Sequence, residues 1–133
     1  MAQEKSLVAV VDDDTSVRKA LARLLSSAGF AVDAFSGGEQ FLESLSQYVP
    51  RCAIVDLHMP NMSGLELQAQ IAASGLHVPV IVITAYDEPT LRERALAGGA
   101  TGYLTKPFSD ECLLEAVAAA TRRPSPDRTE DSC

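Results

Sequence analysis

Several features are scarce in this 133-residue chain, and each scarcity closes a class of function. There are three cysteines, Cys52, Cys112 and Cys133, with no Cys-x-x-Cys pair and only two histidines, so neither a disulfide framework nor a zinc site is indicated. Such cysteine usage fits a reducing cytoplasm. Positive charge is scarce as well: 11 Lys and Arg against 18 Asp and Glu give a formal charge of -7. Without a basic patch, direct binding to nucleic acid or to an anionic membrane surface is not expected. Long apolar runs are missing too. The longest, over residues 78–83 around Pro79, falls far short of the ~20 residues that span a bilayer, and the polar start over 1–6 has no signal-peptide pattern.

What is present is enough apolar material, 47% of residues, to fill one core, and too little chain for two ordinary domains. Short β-branched runs recur at residues 7–11, 30–35, 52–55, 78–83 and 101–104. Amphipathic stretches of helix length separate them, which is the pattern of an α/β protein with a parallel sheet. In the first such stretch, about 16–28, Val17, Leu21, Leu24, Leu25 and Ala28 recur at helical spacing, and Gly29 closes it. In the second, Phe41, Leu42, Leu45 and Tyr48 are expected to share one face. Helices are expected also after Gly64, near 88–97, and over about 110–121. The layout is (βα) five times, one doubly wound domain with strand order 2-1-3-4-5. Residues 1–6 read as an N-terminal extension, and 123–133 as a disordered polar tail or linker remnant.

The polar exceptions to this pattern fall at equivalent places. Asp12 and Asp13 follow the first run, Asp56 the third, Thr84 the fourth and Lys106 the fifth. In an open parallel sheet the carboxyl ends share one edge, and the ligand crevice lies where the strand order reverses, here between strands one and three. Asp12, Asp13 and Asp56 therefore converge. Carboxylates so crowded must take up protons or be neutralised by a cation, and a hard divalent ion such as Mg²⁺ suits a few carboxylates plus waters. Lys106 adds a fixed positive charge and Thr84 a hydroxyl, so the same edge can receive an anion such as a phosphoryl group. Asp56, at the end of a central strand, is the carboxylate best placed to take it covalently. Asp14 reads instead as the cap of the first helix, with Thr15 competing for that place.

Four segments, VVDDD at 10–14, VDLHMPNMSGLEL at 55–67, VIVITAY at 80–86 and GATGYLTKPF at 99–108, together resemble the receiver domain of two-component response regulators over 7–122. The wording around 15–45 and 80–108 is most similar to receivers that precede LuxR-type output domains. The resemblance implies a flavodoxin-like (CheY-like) fold. It also implies a phosphoryl group passed from a sensor histidine kinase, or a phosphotransfer protein, to Asp56. It further implies Mg²⁺, with Mn²⁺ able to substitute, held by Asp12, Asp13, Asp56 and the backbone carbonyl of His58. Thr84 and Lys106 would contact the phosphoryl group. Thr84 and Tyr103 would act as the switch on the face formed by the helix near 88–97, the strand over 101–104 and the last helix, and the Lys106–Pro107 bond would be cis. Tyr86 and His58 would flank the path of attacking water, Tyr86 shielding the aspartyl phosphate. Such a domain promotes only its own phosphorylation and dephosphorylation and is not a turnover enzyme.

Downstream, the resemblance implies a protein target or a DNA-binding output domain, and a phosphorylation-dependent homodimer. No output domain follows within these residues. The expectation is therefore either a natural single-domain regulator, favoured by the Met1 start and the Cys133 end, or a longer chain cut at a linker. Two rival readings stay open. Asp12-Asp13-Asp14-Thr15 also approximates the Asp-x-Asp signature of haloacid-dehalogenase-type phosphatases with Asp12 as nucleophile, and a pseudo-receiver would keep the fold as a binding module without phosphorylation.

Overall fold

The computed structural model describes residues 6–122; the expected extension, apart from Ser6, and the expected tail lie outside the described residues. Five strands and five helices alternate along the chain: β1 (Leu7–Val11), α1 (Thr15–Ser27), β2 (Ala31–Phe35), α2 (Gly38–Ser44), β3 (Cys52–Asp56), α3 (Gly64–Ser74), β4 (Val80–Thr84), α4 (Pro89–Ala97), β5 (Gly102–Thr105) and α5 (Asp110–Thr121). The strands form one sheet in the order β2-β1-β3-β4-β5, and every pairing is parallel. This is the flavodoxin-like (βα)5 architecture that the alternation of runs predicts.

The two central strands β3 and β4 are buried at every position, which is why they read as unbroken apolar runs rather than alternating ones. Their successive side chains still point to opposite faces and divide the core in two. Ala53, Val55 and Val82 pack with Phe41, Leu67 and Ile71 under α2, α3 and α4, whereas Ile54, Ile81 and Ile83 pack with Leu21, Leu25, Leu113 and Val117 under α1 and α5. Cys52 lies within the second of these clusters, where burial pushes its thiol up to about 12 and keeps it protonated.

Several boundaries differ from the sequence reading: α1 starts and ends one residue earlier than expected, and β2 begins at Ala31 rather than residue 30. β4 begins at Val80 rather than residue 78, because Pro79 has no N–H to give to a ladder, although its carbonyl accepts from Ala53 N at 2.9 Å. β5 is displaced one residue along, to Gly102–Thr105. α2 stops at Ser44: Phe41 and Leu45 are buried as expected, but Tyr48 lies beyond the helix and is 59% exposed. Serine hydroxyls at 44 and 46 donate to the carbonyls of Phe41 and Glu43, competing for helical acceptors where a long helix would need them.

Candidate functional site

The carboxyl ends of β1, β3, β4 and β5 deliver Asp12, Asp56, Thr84 and, just past β5, Lys106 to one edge, at the point where the strand order reverses. Asp12, Asp13 and Asp56 each offer a carboxylate oxygen there, and these oxygens lie within 4.8 Å of one another. Lys106 Nζ stands 3.2 Å from Asp12 Oδ2 and 3.7 Å from Asp56 Oδ1.

The three consecutive aspartates have separate surroundings. Asp12 is fully buried and tied at every polar atom: its N donates to Phe35 O (3.1 Å), and its O accepts from Arg18 Nη1 (2.8 Å). Oδ1 accepts from Asp14 N (2.9 Å), and Oδ2 faces Lys106. Asp13 is exposed at the mouth. Asp14 turns away as the N-cap of α1, accepting from Ser16 N at 2.8 Å and from Val17 N at 3.4 Å. Thr15 does not cap; it is the first residue of the helix, and its Oγ1 accepts from Arg18 Nη2 at 3.0 Å.

Asp56 is 5% exposed. Burial, and next the neighbouring charge of Asp12, raise its pKa to about 6, with Asp13 adding to the rise while Lys106 and the His58 backbone N–H oppose it. The site thus carries more negative charge than Lys106 offsets. Clustered hard oxygen donors with that imbalance fit a small divalent cation such as Mg²⁺.

The walls are set by the loops that follow β3 and β4. Gly64, the first residue of α3, runs directly beneath β3: a Cβ built there would lie 2.8 Å from Asp56 O and 2.9 Å from Leu57 Cα. A capping box follows, in which Ser63 Oγ accepts from Glu66 N and Glu66 Oε1 accepts from Ser63 N. Above the site, His58 and Tyr86 meet edge to face with ring centroids 5.5 Å apart, and Tyr86 is 66% exposed.

Thr84 is fully buried, and its hydroxyl is occupied within its own loop, accepting from Tyr86 N (3.0 Å) and donating to Tyr86 O (3.1 Å). Its carbonyl accepts from Lys106 N at 2.7 Å, linking the two polar groups through the backbone. The Lys106–Pro107 bond is cis.

Tyr103 lies apart from the acidic cluster, packed against the core cluster on the α4 side. The Arg92 guanidinium carbon sits 5.2 Å from its ring centroid. Its buried Oη has no hydrogen-bond partner among the described residues, and burial, then the Asp87 carboxylate, raise its pKa. Arg18 was not singled out by the sequence reading. The available signal was a cation near the start of a helix, where the dipole disfavours positive charge.

Comparison with known proteins supplies the family. The family model described as response regulator receiver domain matches residues 8–118. Nodulation protein W of Bradyrhizobium diazoefficiens is 41% identical over 122 residues, covering 92% of this chain and 54% of that protein. Response regulator protein TmoT of Ectopseudomonas mendocina is 37% identical over 122 residues, with 92% and 56% covered. The chain thus spans about half the length of these curated relatives. Among solved structures, a response regulator receiver protein from Burkholderia phymatum superposes with a TM-score of 0.80 at 46% identity, covering 92% of this chain and 99% of that one. A match over 8–118, carried by a fold whose strand ends gather three aspartates, a threonine and a lysine, means that this chain belongs to the response regulator receiver domain family.

Proposed function

We propose that the domain accepts a phosphoryl group on Asp56 from a phosphohistidine of a sensor kinase or phosphotransfer protein. One observation carries the reading: a nearly buried carboxylate at a central strand end stands beside two further acids and a lysine ammonium 3.7 Å away. A carboxylate oxygen of Asp56 attacks phosphorus in line, and the P–N bond breaks with its electron pair going to the imidazole. Lys106 neutralises a phosphoryl oxygen. Asp12, Asp13, Asp56 and the backbone carbonyl of His58 would hold Mg²⁺, or Mn²⁺ in its place, which when bound supplies Lewis-acid stabilisation of the phosphoryl oxygens.

The Thr84 hydroxyl reaches the new phosphoryl group only by leaving Tyr86 O. That exchange repositions the β4–α4 loop and gives the α4-β5-α5 face, with Tyr103 at its centre, two states to choose between. Water later hydrolyses the aspartyl phosphate, so the domain times a signal and does not turn over a substrate. The site of action is the cytoplasm, and no helix among the described residues is long and apolar enough to cross a membrane. The extra length of the relatives supports a further, output domain beside the receiver, of LuxR type by the sequence wording; phosphorylation-dependent pairing of receivers is part of the same proposal. An Asp12 nucleophile is disfavoured, since that side chain is fully buried with both oxygens engaged.

The test is incubation with acetyl phosphate and Mg²⁺ followed by intact-protein mass measurement. Wild type should gain one phosphoryl mass and Asp56→Asn none; undiminished labelling of the variant would overturn the assignment of Asp56 and revive Asp12.

A further inference from the structure

We propose that Arg18 is a positioning residue, fixing the Asp12–Asp13 peptide so that Asp13 presents its carboxylate to the divalent cation; this rests on the cation reading above. Its guanidinium donates from Nη1 to Asp12 O at 2.8 Å and from Nη2 to Thr15 Oγ1 at 3.0 Å, so it spans the turn from β1 into α1. Its own N donates to Asp14 O at 3.0 Å, closing the same turn from the helix side. The carbonyl of Asp12 and the N–H of Asp13 belong to one planar unit, so a clamp on the first orients the second.

Asp13 needs that help more than its neighbours. Asp12 is held at every polar atom and Asp14 by two backbone amides, whereas no side-chain hydrogen bond among the described residues restrains the exposed Asp13. Its direction comes from the backbone alone. A guanidinium in this place acts against a bound cation by simple electrostatics, and against the helix dipole as well. Geometry is the benefit that offsets both, and the two effects have opposite signs on metal affinity.

Titration with MgCl2 by calorimetry separates them, using wild type, Arg18→Met and Arg18→Lys, with urea unfolding in EDTA as the metal-free control. Positioning predicts that Arg18→Met binds Mg²⁺ about tenfold more weakly, as loss of a partner behind a metal ligand does, although a positive charge has been removed. Arg18→Lys keeps the charge, loses the fork, and should also bind more weakly. Unchanged or tighter binding in Arg18→Met overturns the proposal, as does a loss of metal-free stability with affinity intact. If Arg18→Met does not fold, Arg18→Lys decides alone: weaker binding supports positioning and unchanged binding overturns it. Wild type that binds no Mg²⁺ at all overturns the cation reading itself, a different result from any of these.

Discussion

Replacing Asp56 by asparagine should make the metal-free domain more stable at neutral pH, and the size of the gain follows from its surroundings. In the folded protein the carboxyl group titrates at about 6 rather than at 3.8, because burial and Asp12 disfavour its charge. Below about pH 4 the group is protonated in both folded and unfolded chains and has no net effect. Between about pH 4 and 6 the unfolded chain releases its proton while the folded one retains it, so wild-type stability falls across that window and is level above it. About two pKa units correspond to ~3 kcal/mol at 1.36 kcal/mol per unit. The side chain is only 8% exposed, so solvent screening takes little from that figure. The buried amide of asparagine keeps a desolvation cost of its own, which brings the expected gain for Asp56→Asn to ~1–3 kcal/mol at pH 7. At ~2–8 °C per kcal/mol for domains of this size, the melting temperature should rise by several degrees. Urea unfolding in EDTA at pH 4, 5, 6 and 7 is the assay, and only the difference between the two proteins is read. The two stability curves should meet near pH 4 and separate by pH 7. Mg²⁺ should then narrow the gap by stabilising wild type more strongly. A variant no more stable than wild type at pH 7, or a gap independent of pH, would refute the account of Asp56 as a carboxylate strained by its neighbours.

Four further outcomes are expected. Asp13→Ala should weaken Mg²⁺ binding strongly in calorimetry, whereas Asp14→Ala should retain affinity and lose ~1 kcal/mol of stability with its cap; equal losses of affinity would show that the triplet is not divided in this way. Gly64→Ala should destabilise the fold by ~1–3 kcal/mol in urea unfolding, because the new methyl meets the Asp56 carbonyl at 2.8 Å, and a neutral substitution would mean that the loop yields easily. Tyr86→Ala should speed loss of phosphate from the labelled domain, since it removes the ring beside His58 at the mouth; an unchanged or slower rate would sink the shielding role. Arg92→Ala should lower stability by ~0.5–1 kcal/mol through loss of its contact with the Tyr103 ring, and no change in the unfolding midpoint would argue against that contact.

The fold was legible because the central strands announce themselves twice, by β-branched runs and by the polar residue that ends each one. Asp56 and Thr84 are the last residues of β3 and β4, so the strand ends and the chemistry were one signal. The division of Asp12, Asp13 and Asp14 followed from strand geometry and helix capping, both local rules. Tyr48 was misplaced because helical spacing cannot register where serine hydroxyls take over carbonyls. The engagement of Thr84 with its own loop, the passage of Gly64 beneath Asp56 and the reach of Arg18 back to Asp12 were not visible. Each depends on the path of a turn or the rotamer of a long side chain, and neither leaves a periodic trace in sequence.

The split of the core by the sheet bears on how perturbations spread. Side chains under α1 and α5 form a buried cluster separate from those under α2, α3 and α4, since alternate residues of β3 and β4 serve opposite clusters. Packing defects placed on the two sides, such as Leu25→Ala and Leu67→Ala, should therefore combine almost additively in a double-mutant cycle. Tyr103 and Ala95 belong with the second group. The sheet thus acts as a bulkhead: one compartment can be rebuilt, by selection or by design, with the other left in its original packing.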